Sequence, residues 1–261
     1  MLTATTSPWL ERRRRAAELL EAQPHAAELL RLYLALLDVW TNVDEMAPAE
    51  RPDAARLPAY AVERVLPRVL EATLVAGPEK LRTEVLRRFH EADLEDLVAR
   101  WLAGAQLSET DRYLARASAA PLLEALPGAR SLDGTIGDRR HCPDCGGLPQ
   151  LAYFPISGEA LVTAPRHLLC SRCSQSWPYP RMVCAGCGNE ETPALPIFAD
   201  ADRFPGLRVD ACDACHHYLV TVDLPKDPTA VPVVDELVAL PLDLFARERG
   251  FTKITPNLMG I

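Results

Sequence analysis

Eight cysteines give this 261-residue chain its clearest chemistry, because all of them fall into Cys-x-x-Cys pairs. The pairs are Cys142/Cys145, Cys170/Cys173, Cys184/Cys187 and Cys212/Cys215. Each cysteine of the last two pairs lies 42 positions after its counterpart in the first two pairs. A four-cysteine unit is therefore repeated in tandem. Its spacing predicts two tetrahedral sites in which four sulfurs bind one metal ion.

Each predicted site combines two Cys-x-x-Cys turns, the second of them on a β-hairpin. Gly146 and Gly188 follow the first turn of each unit, where glycine permits a left-handed backbone and backbone N–H groups can point at the thiolates. We expect the first pair to join the second pair and the third to join the fourth, since each unit then closes its own site. The alternative is a cross-braced arrangement, in which the first pair joins the third and the second joins the fourth.

The metal is iron or zinc, because tetrahedral coordination by sulfur alone suits both ions. Zinc would be structural, whereas iron could change its oxidation state. His141, His167, His216 and His217 lie near the cysteines and are interpreted as surface or supporting groups, since four sulfurs already complete each site. Neither site keeps an open position, so metal-assisted hydrolysis is not expected.

Two other uses of paired cysteines fit this sequence less well. Disulfides form in oxidising compartments, but the first residues of the chain do not lead into an apolar signal segment, so secretion is not expected. A thioredoxin-like pair would open a helix in a βαβ unit rather than occur four times in series. We therefore expect free thiols that bind metal.

Charge and motif content restrict the function further. The chain has a net charge of −8, and residues 141–261 carry 9 basic and 14 acidic side chains. Zinc ribbons that bind nucleic acid usually present a basic face, so we expect no nucleic-acid partner. No uninterrupted apolar run reaches the roughly 20 residues of a membrane span. Phosphate-binding glycine loops, nucleophile elbows and H-E-x-x-H pairs are also missing from the sequence, which favours a binding protein over an enzyme.

The first half of the chain is predicted to be a helical domain over residues 1–130, because leucines recur there at helical spacing. The predicted helices lie near 9–22, 25–43, 58–75, 79–104 with a possible break near His90, and 109–126. Trp40 and Trp101 are expected in the core. The run Arg12 to Arg15 is interpreted as a solvated helix face rather than a nucleic-acid patch. Pro127-Gly128 is expected to end the last helix.

The second half is predicted to contain two metal modules and a terminal segment. The first four-cysteine module occupies 140–180 and the second 181–224, with β-prone runs at Leu151 to Phe154 and Leu207 to Val209 between the turns and a further run at Tyr218 to Val222 after the last turn. A linker and helix occupy 225–261, and this helix is expected over Val233 to Arg249, stopping at Gly250. The predicted fold class is α+β, with an N-terminal α-helical domain, two tandem rubredoxin or zinc-ribbon-like metal-binding modules and a C-terminal helix.

The stretch from Cys142 to Asn257 resembles the formate dehydrogenase accessory proteins, the family called FdhE. The motifs that carry the resemblance are Cys170-x-x-Cys173-x-x-x-Trp177-x-x-x-Arg181-x-x-Cys184-x-x-Cys187, Arg208-x-Asp210-x-Cys212-x-x-Cys215-x-x-Tyr218 and Val233-Val234-Asp235-Glu236-Leu237. These motifs are ordered along nearly half of the chain. The helical half resembles the family more loosely.

The resemblance implies a cytoplasmic maturation factor that is not itself an enzyme. Its partner would be the catalytic subunit of a respiratory formate dehydrogenase, which it would contact before that subunit is exported. The eight cysteines would be the metal ligands. Trp177, Arg181, Arg208 and Tyr218 would either pack around the turns or form part of a docking face. Two alternatives remain from the residues alone: a zinc-ribbon adaptor in transcription or RNA handling, and a rubredoxin-type electron carrier.

Overall fold

The computed structural model describes residues 8–44, 52, 55–125, 138–156, 165–258 and 260. These residues fall into two compact units. One contains the described residues up to 125 together with 258 and 260, and the other contains those within 138–257. The predicted helix end at Pro127-Gly128 lies outside the described residues. Each unit has a buried hydrophobic core of its own.

The first unit is made of helices. They are α1 (Pro8–Ala22), α2 (Ala27–Asp44), α3 (Leu57–Tyr60), α4 (Leu66–Ala76), α5 (Glu79–Glu91), α6 (Leu94–Leu102) and α7 (Glu109–Ala125). A π-helical turn, Ala61–Val65, joins α3 to α4, so these elements occupy the helix expected near 58–75. The helix expected over 79–104 is interrupted after Glu91, close to His90. Asp93 caps the new helix α6 by accepting a hydrogen bond from the N–H of Asp96 at 3.0 Å.

The core of the helical unit contains the two tryptophans expected there. Trp40 and Trp101 are buried, and the indole N–H of Trp40 donates to the carbonyl of Ala117 at 2.9 Å. The arginine run is only partly solvated, which corrects the interpretation of one solvated face. Arg12 pairs with Glu124 at 2.6 Å and lies over the ring of Trp9, and Arg15 is also buried. Arg12 and Arg15 are three residues apart, so they lie on the same face of the helix, the one that faces the core.

The second unit is built on one seven-stranded sheet in the described part of the chain. Its strands are β1 (Pro149–Phe154), β2 (Arg166–Cys170), β3 (Ser176–Tyr179), β4 (Ile197–Phe198), β5 (Leu207–Cys212), β6 (His217–Asp223) and β7 (Thr252–Lys253). The order is β3-β2-β1-β6-β5-β4, and β7 also pairs with β6. Five consecutive residues of β6 are buried, as expected for a central strand rich in β-branched residues and covered on both faces.

The two cysteine repeats share this sheet instead of forming separate hairpins. Strand β1 of the first repeat pairs in parallel with β6 of the second, with Ala152 opposite Thr221 and Phe154 opposite Asp223. Strands β2 and β3 correspond to β5 and β6 after the shift of 42 residues. The rest of the repeat has diverged, since Ala152 lies in β1 whereas its counterpart Ala194 lies in the 3-10 turn Thr192–Ala194.

The C-terminal helix is broken, which corrects the expectation of one helix over Val233 to Arg249. A short helix α8 (Pro232–Asp235) is followed by a 3-10 turn and then by α9 (Leu240–Glu248). Pro241 in the first turn of α9 explains the break, because proline has no N–H to donate and its ring clashes with the preceding turn. Gly250 ends the segment with a φ of +85°, as expected for a helix C-cap. Helix α9 packs on β5 and α8 packs on β1.

The fold class predicted from sequence is therefore confirmed: helices come first, two four-cysteine groups follow, and a C-terminal helical segment comes after them.

Candidate metal centres

The first two Cys-x-x-Cys pairs meet in one sulfur cluster, which we call site 1. Cys142 and Cys145 come from the turn before β1, and Cys170 and Cys173 come from the turn between β2 and β3. The sulfurs of Cys142 and Cys173 are 3.7 Å apart, and those of Cys145 and Cys170 are 3.4 Å apart. All four sulfurs lie within 4.8 Å of one another, and all four residues are buried.

The last two pairs form an equivalent cluster, site 2. The sulfurs of Cys184 and Cys215 are 3.7 Å apart, and those of Cys187 and Cys212 are 3.8 Å apart. The arrangement in both sites is the sequential one, with each repeat closing on itself, and not the cross-braced one.

The spacing of the sulfurs fits a tetrahedral metal ion. A metal–sulfur bond of about 2.3 Å places the sulfurs of a tetrahedron about 3.8 Å apart. A disulfide would require a sulfur–sulfur distance of about 2.05 Å, and all eight cysteines are free thiols. Each group of four sulfurs could therefore hold one ion, and the donor set suits iron and zinc alike.

The backbone of the turns is shaped by the repeat. Gly146 and Gly188 have φ angles of +68° and +79°, as predicted, and their N–H groups donate to the carbonyls of Cys142 and Cys184 at 2.9 Å. Two residues without a glycine's freedom also adopt the left-handed conformation in the second turns. They are Ser174 and His216, with φ angles of 56° and 55°. These two positions are 42 residues apart, so the shift that relates the cysteines could have found them.

Backbone N–H groups also point at the sulfurs. The N–H of Arg172 donates to the sulfur of Cys170, and the N–H of Gly186 donates to that of Cys184, each at 3.3 Å. Such bonds stabilise thiolate charge. Within site 1 the thiols compete for protons: hydrogen bonding from Cys145 lowers the pKa of Cys142, and hydrogen bonding with Cys142 raises the pKa of Cys170. Because metal ligands must be deprotonated thiolates, an ion that binds here releases the remaining protons.

The two sites differ in exposure. Every ligand candidate of site 1 is buried, whereas Cys187 of site 2 is exposed and Cys215 is half-buried. None of the nearby histidines joins either sulfur group. The Nδ1 of His217 lies within hydrogen-bond distance of the carbonyl of Cys215, at 2.7 Å. The ring of His167 stacks on that of Tyr153. The exposed sulfur makes site 2 the one that solvent or another molecule can reach directly.

Two contacts tie the two repeats together within the sheet unit. Arg140 donates to the carbonyl of Gly186 at 3.1 Å, and Tyr179 donates to the carbonyl of Cys184 at 3.0 Å. Asp138 orients Arg140, and the hydrogen bond from Arg140 lowers the pKa of Asp138 to about 2. Side chains that precede site 1 or follow it therefore hold the first turn of site 2.

The four motif residues separate into buried and exposed positions. Trp177 and Tyr218 are buried and form internal hydrogen bonds, Trp177 to the carbonyl of Arg139 and Tyr218 to the carboxylate of Asp243. They belong to the packing and not to a docking face. Arg181 is exposed and lies 4.3 Å above the ring of Phe154, while Arg208 is half-buried.

Arg208 and Arg166, which share the repeat offset, converge on one carboxylate. Arg208 approaches Asp210 at 2.9 Å, and Arg166 approaches it at 3.3 Å. Burial lowers the pKa of Arg166. The sequence contained the matching offset and the Arg208-x-Asp210 motif, but it gave no indication that both arginines share an acid.

A second buried group of charges was not expected from the sequence. The ammonium of Lys253 lies 2.7 Å from Glu236 and 3.1 Å from Asp243. All three residues are buried. Gln150 of β1 also donates to Glu236 at 2.7 Å. The contact from Gln150 fastens the C-terminal segment to β1, and Lys253 itself lies opposite Tyr218 in the pairing of β7 with β6.

Gly147 provides a test of how tightly site 1 is packed. A Cβ at this position would lie 2.8 Å from the sulfur of Cys170, closer than such atoms approach, so Gly147→Ala must displace that sulfur. We expect the affinity of site 1 for its ion to fall roughly 10- to 100-fold, as for other changes beside metal ligands. The measurement is transfer of the ion to a competing chelator.

Gly186→Ala is the matched control for this prediction. Its added Cβ would meet the sulfur of Cys184 at 3.6 Å, an ordinary contact, so chelator transfer should stay within a few-fold of the unmodified chain. Equal retention by both variants would contradict the packing of site 1 described above.

Comparisons with known proteins match this architecture. Residues 182–259 match the family model described as FdhE, C-terminal domain. A protein named FdhE homolog from Aquifex aeolicus is 28% identical over 181 residues, which cover 69% of this chain and 63% of the relative. One from Pseudomonas putida is 32% identical over 126 residues, covering 47% of this chain and 39% of the relative. The matches thus span less than two thirds of either relative.

A solved structure shares the fold over nearly the whole chain. It is the crystal structure of the FdhE protein from Pseudomonas aeruginosa, with a TM-score of 0.69 at 24% identity, covering 96% of this chain and 94% of that one. Among the described residues, no helix has both the length and the apolar character needed to cross a bilayer.

Proposed function

We propose that this chain is a member of the FdhE family and an accessory protein needed for formate dehydrogenase activity. It binds the catalytic subunit of that enzyme in the cytoplasm, before the subunit is exported. The observation that carries this proposal is the family match over residues 182–259, which contain all of site 2 and the C-terminal helices. The helical unit and the sheet unit then serve binding and not catalysis.

We further propose that all eight cysteines are metal ligands, with one ion in each site. The sulfur–sulfur distances of 3.4 to 3.8 Å support this assignment. Zinc would supply only structural rigidity, whereas iron would also supply one-electron chemistry. The modules at 140–180 and 181–224 then form a stiff body, since they share a sheet and each is closed by its own ion.

The physical role of this body follows from its rigidity. A partner that binds a surface which is already ordered does not have to supply the free energy of ordering it. The ligands of site 1 and the strand pairing of β1 with β6 hold the sheet. The exposed residues near site 2, including Cys187 and Arg181, remain available to the unfinished subunit. The C-terminal segment from residue 225 to residue 257 completes the sheet unit through the packing of α8 and α9.

Deleting the gene and measuring formate-dependent dye reduction tests the proposal. We expect activity to fall to a small fraction of the parent level while the catalytic subunit is still synthesised, and expression of this chain to restore it. An immunoprecipitation of the tagged chain should recover the catalytic subunit from cytoplasm but not from the exported fraction. Full activity in the deletion strain, with the subunit made and exported normally, would refute the accessory role.

One observation favours a second candidate, a rubredoxin-type electron carrier. Cys187 is exposed, so a redox-active ion in site 2 would have a direct path to a partner. Metal analysis after oxygen-free purification separates the candidates. Two zinc ions per chain would exclude the electron carrier, whereas iron that is reversibly reduced by a physiological donor would support it.

A further inference from the structure

A cavity of about 180 Å³ lies inside the sheet unit, beside site 2. It has a charged side and an apolar side. The charged side is formed by Arg166, Arg181, Arg208 and Asp210, and Cys184 of site 2 is also among the lining residues. The apolar side is formed by residues that include Phe154, Met182, Leu195, Ile197, Leu219 and Ile254.

The positive charge of the cavity is only partly neutralised by its lining. Asp210 is the single carboxylate among the lining residues, and it faces three guanidinium groups. Arg166 and Arg208 both pair with it. Asp210 also accepts a hydrogen bond from Thr221 at 2.7 Å, so its oxygens are already shared between three donors. An anion bound in the cavity could therefore accept hydrogen bonds from guanidinium N–H groups.

A buried donor on Arg166 is a second, independent indication that the cavity binds an anion. Its side chain is 3% exposed. One terminal nitrogen donates to the carbonyl of Val183 at 3.2 Å, and another approaches Asp210. Its Nε–H, however, has no acceptor among the described residues. A buried donor without a partner costs free energy, and such groups in folded proteins usually have a ligand or water as their missing partner.

The apolar side indicates what the anion is attached to. Phe154 is buried beneath the guanidinium groups of Arg181 and Arg208, which lie 4.3 and 4.9 Å from its ring centre. This arrangement fixes the two guanidinium groups beside an apolar wall. Guanidinium groups bind carboxylates through paired hydrogen bonds, and the wall offers burial to a compact apolar group.

We propose that this cavity binds a carboxylate carried by a small apolar group, with Arg166, Arg181 and Arg208 as the anion-binding residues. The ligand is either a free small organic acid or the C-terminal carboxylate of a polypeptide that ends in an apolar residue. The cavity adjoins site 2 through Cys184, but the groups proposed to bind the anion are the guanidinium groups and not the sulfurs. Binding to the purified chain can be measured without any formate dehydrogenase present, so the result is independent of the proposed function.

Calorimetric titration of the full chain, loaded with two zinc ions, tests the proposal. Benzoate is expected to bind more tightly than acetate or inorganic phosphate, because only benzoate combines a carboxylate with an apolar body. A pentapeptide ending in leucine with a free carboxylate, compared with its amidated form, distinguishes the two sources. Binding of benzoate alone assigns a small acid, and binding of the acid peptide but not the amide assigns a polypeptide terminus.

Two variants show whether binding occurs in this cavity. Arg181→Gln removes an exposed guanidinium and should weaken benzoate binding roughly tenfold or more. Met182→Trp enlarges a residue that is 48% exposed and should weaken binding by steric obstruction without a change of charge. Arg203→Gln is the matched control, since Arg203 is an exposed arginine outside the cavity, paired with Asp200 at 3.9 Å. The Arg203→Gln variant should bind benzoate with the same affinity as the unmodified chain.

The opposite results would overturn the proposal. One is that the unmodified chain binds neither benzoate nor the acid peptide, which would leave the arginines to balance only Asp210 and the thiolates. Another is that phosphate binds as tightly as benzoate, which would contradict the proposal that the ligand carries an apolar group. If the Arg181→Gln variant loses zinc, the Met182→Trp variant provides the test. Unaltered benzoate affinity of Met182→Trp would show that benzoate binds outside this cavity.

Discussion

Replacing Cys145 with serine is expected to reduce the bound metal from two ions per chain to one and to abolish cooperative unfolding of the sheet unit. All four cysteines of site 1 are buried. An ion bound by their sulfurs would join the turn before β1 to the turn between β2 and β3. Binding of a structural zinc ion is worth about 10–16 kcal/mol in small metal-binding domains, which is as large as the whole stability of a typical protein. The measurements are elemental analysis and calorimetric unfolding.

Cys187→Ser provides the comparison for this prediction. Cys187 is exposed and its turn lies outside the central strands, so loss of the site 2 ion should leave the strands around site 1 folded. We expect one ion per chain here too, but with a cooperative transition that persists at a lower temperature. Retention of both ions by Cys145→Ser, or identical unfolding of the two variants, would contradict the assignment of site 1 as the metal-held centre of the sheet.

The second large effect is expected from Lys253→Met. Lys253 is the cation between Glu236 and Asp243, and these three side chains are at most 3% exposed. Burial raises the pKa of Asp243, and the neighbouring ammonium of Lys253 opposes that rise. Removing it leaves negative charge unpaired in the interior, which costs about 3–5 kcal/mol. Denaturant unfolding monitored by circular dichroism should show this loss in the free energy of unfolding.

Two further variants test the charge argument. Lys226→Met removes a lysine that is 61% exposed and paired with Asp223 at 3.4 Å, so its free energy of unfolding should change by about 0.5 kcal/mol or less. The triple variant Lys253→Met with Glu236→Gln and Asp243→Asn should recover part of the loss, because it no longer buries unpaired charge. A Lys253→Met protein as stable as the unmodified chain would show that the group is not held as charges.

Several features of the site were predictable because they depend on neighbours in sequence. A Cys-x-x-Cys turn places two sulfurs together whatever surrounds it, and the shift of 42 residues identified the two units. The left-handed glycines followed from the same turns. The break at Pro241 was also available from the sequence, since proline at that position prevents a helix from continuing. The hydrophobic spacing by itself favours one helix, because it takes no account of the missing N–H of proline.

Other features depend on residues that are distant in sequence. The convergence of Arg166 and Arg208 on Asp210 requires strands of different repeats to lie in one sheet. The charge group of Lys253 requires the C-terminal segment to return to β6, whose residues lie about 35 positions earlier in the sequence. No local propensity encodes such pairings, because they are selected by the burial of whole faces of the sheet.

The sequence by itself determined the two sulfur clusters, the helical first half and the resemblance to the FdhE family. Each follows from spacing or motif order along the chain. The tertiary structure decided that the repeats share a sheet through β1 and β6, that site 1 is buried while Cys187 is exposed, and that three arginines line one cavity. The physical reason is that ligand spacing in a turn is a local property, whereas burial and charge balance arise only when distant segments pack together.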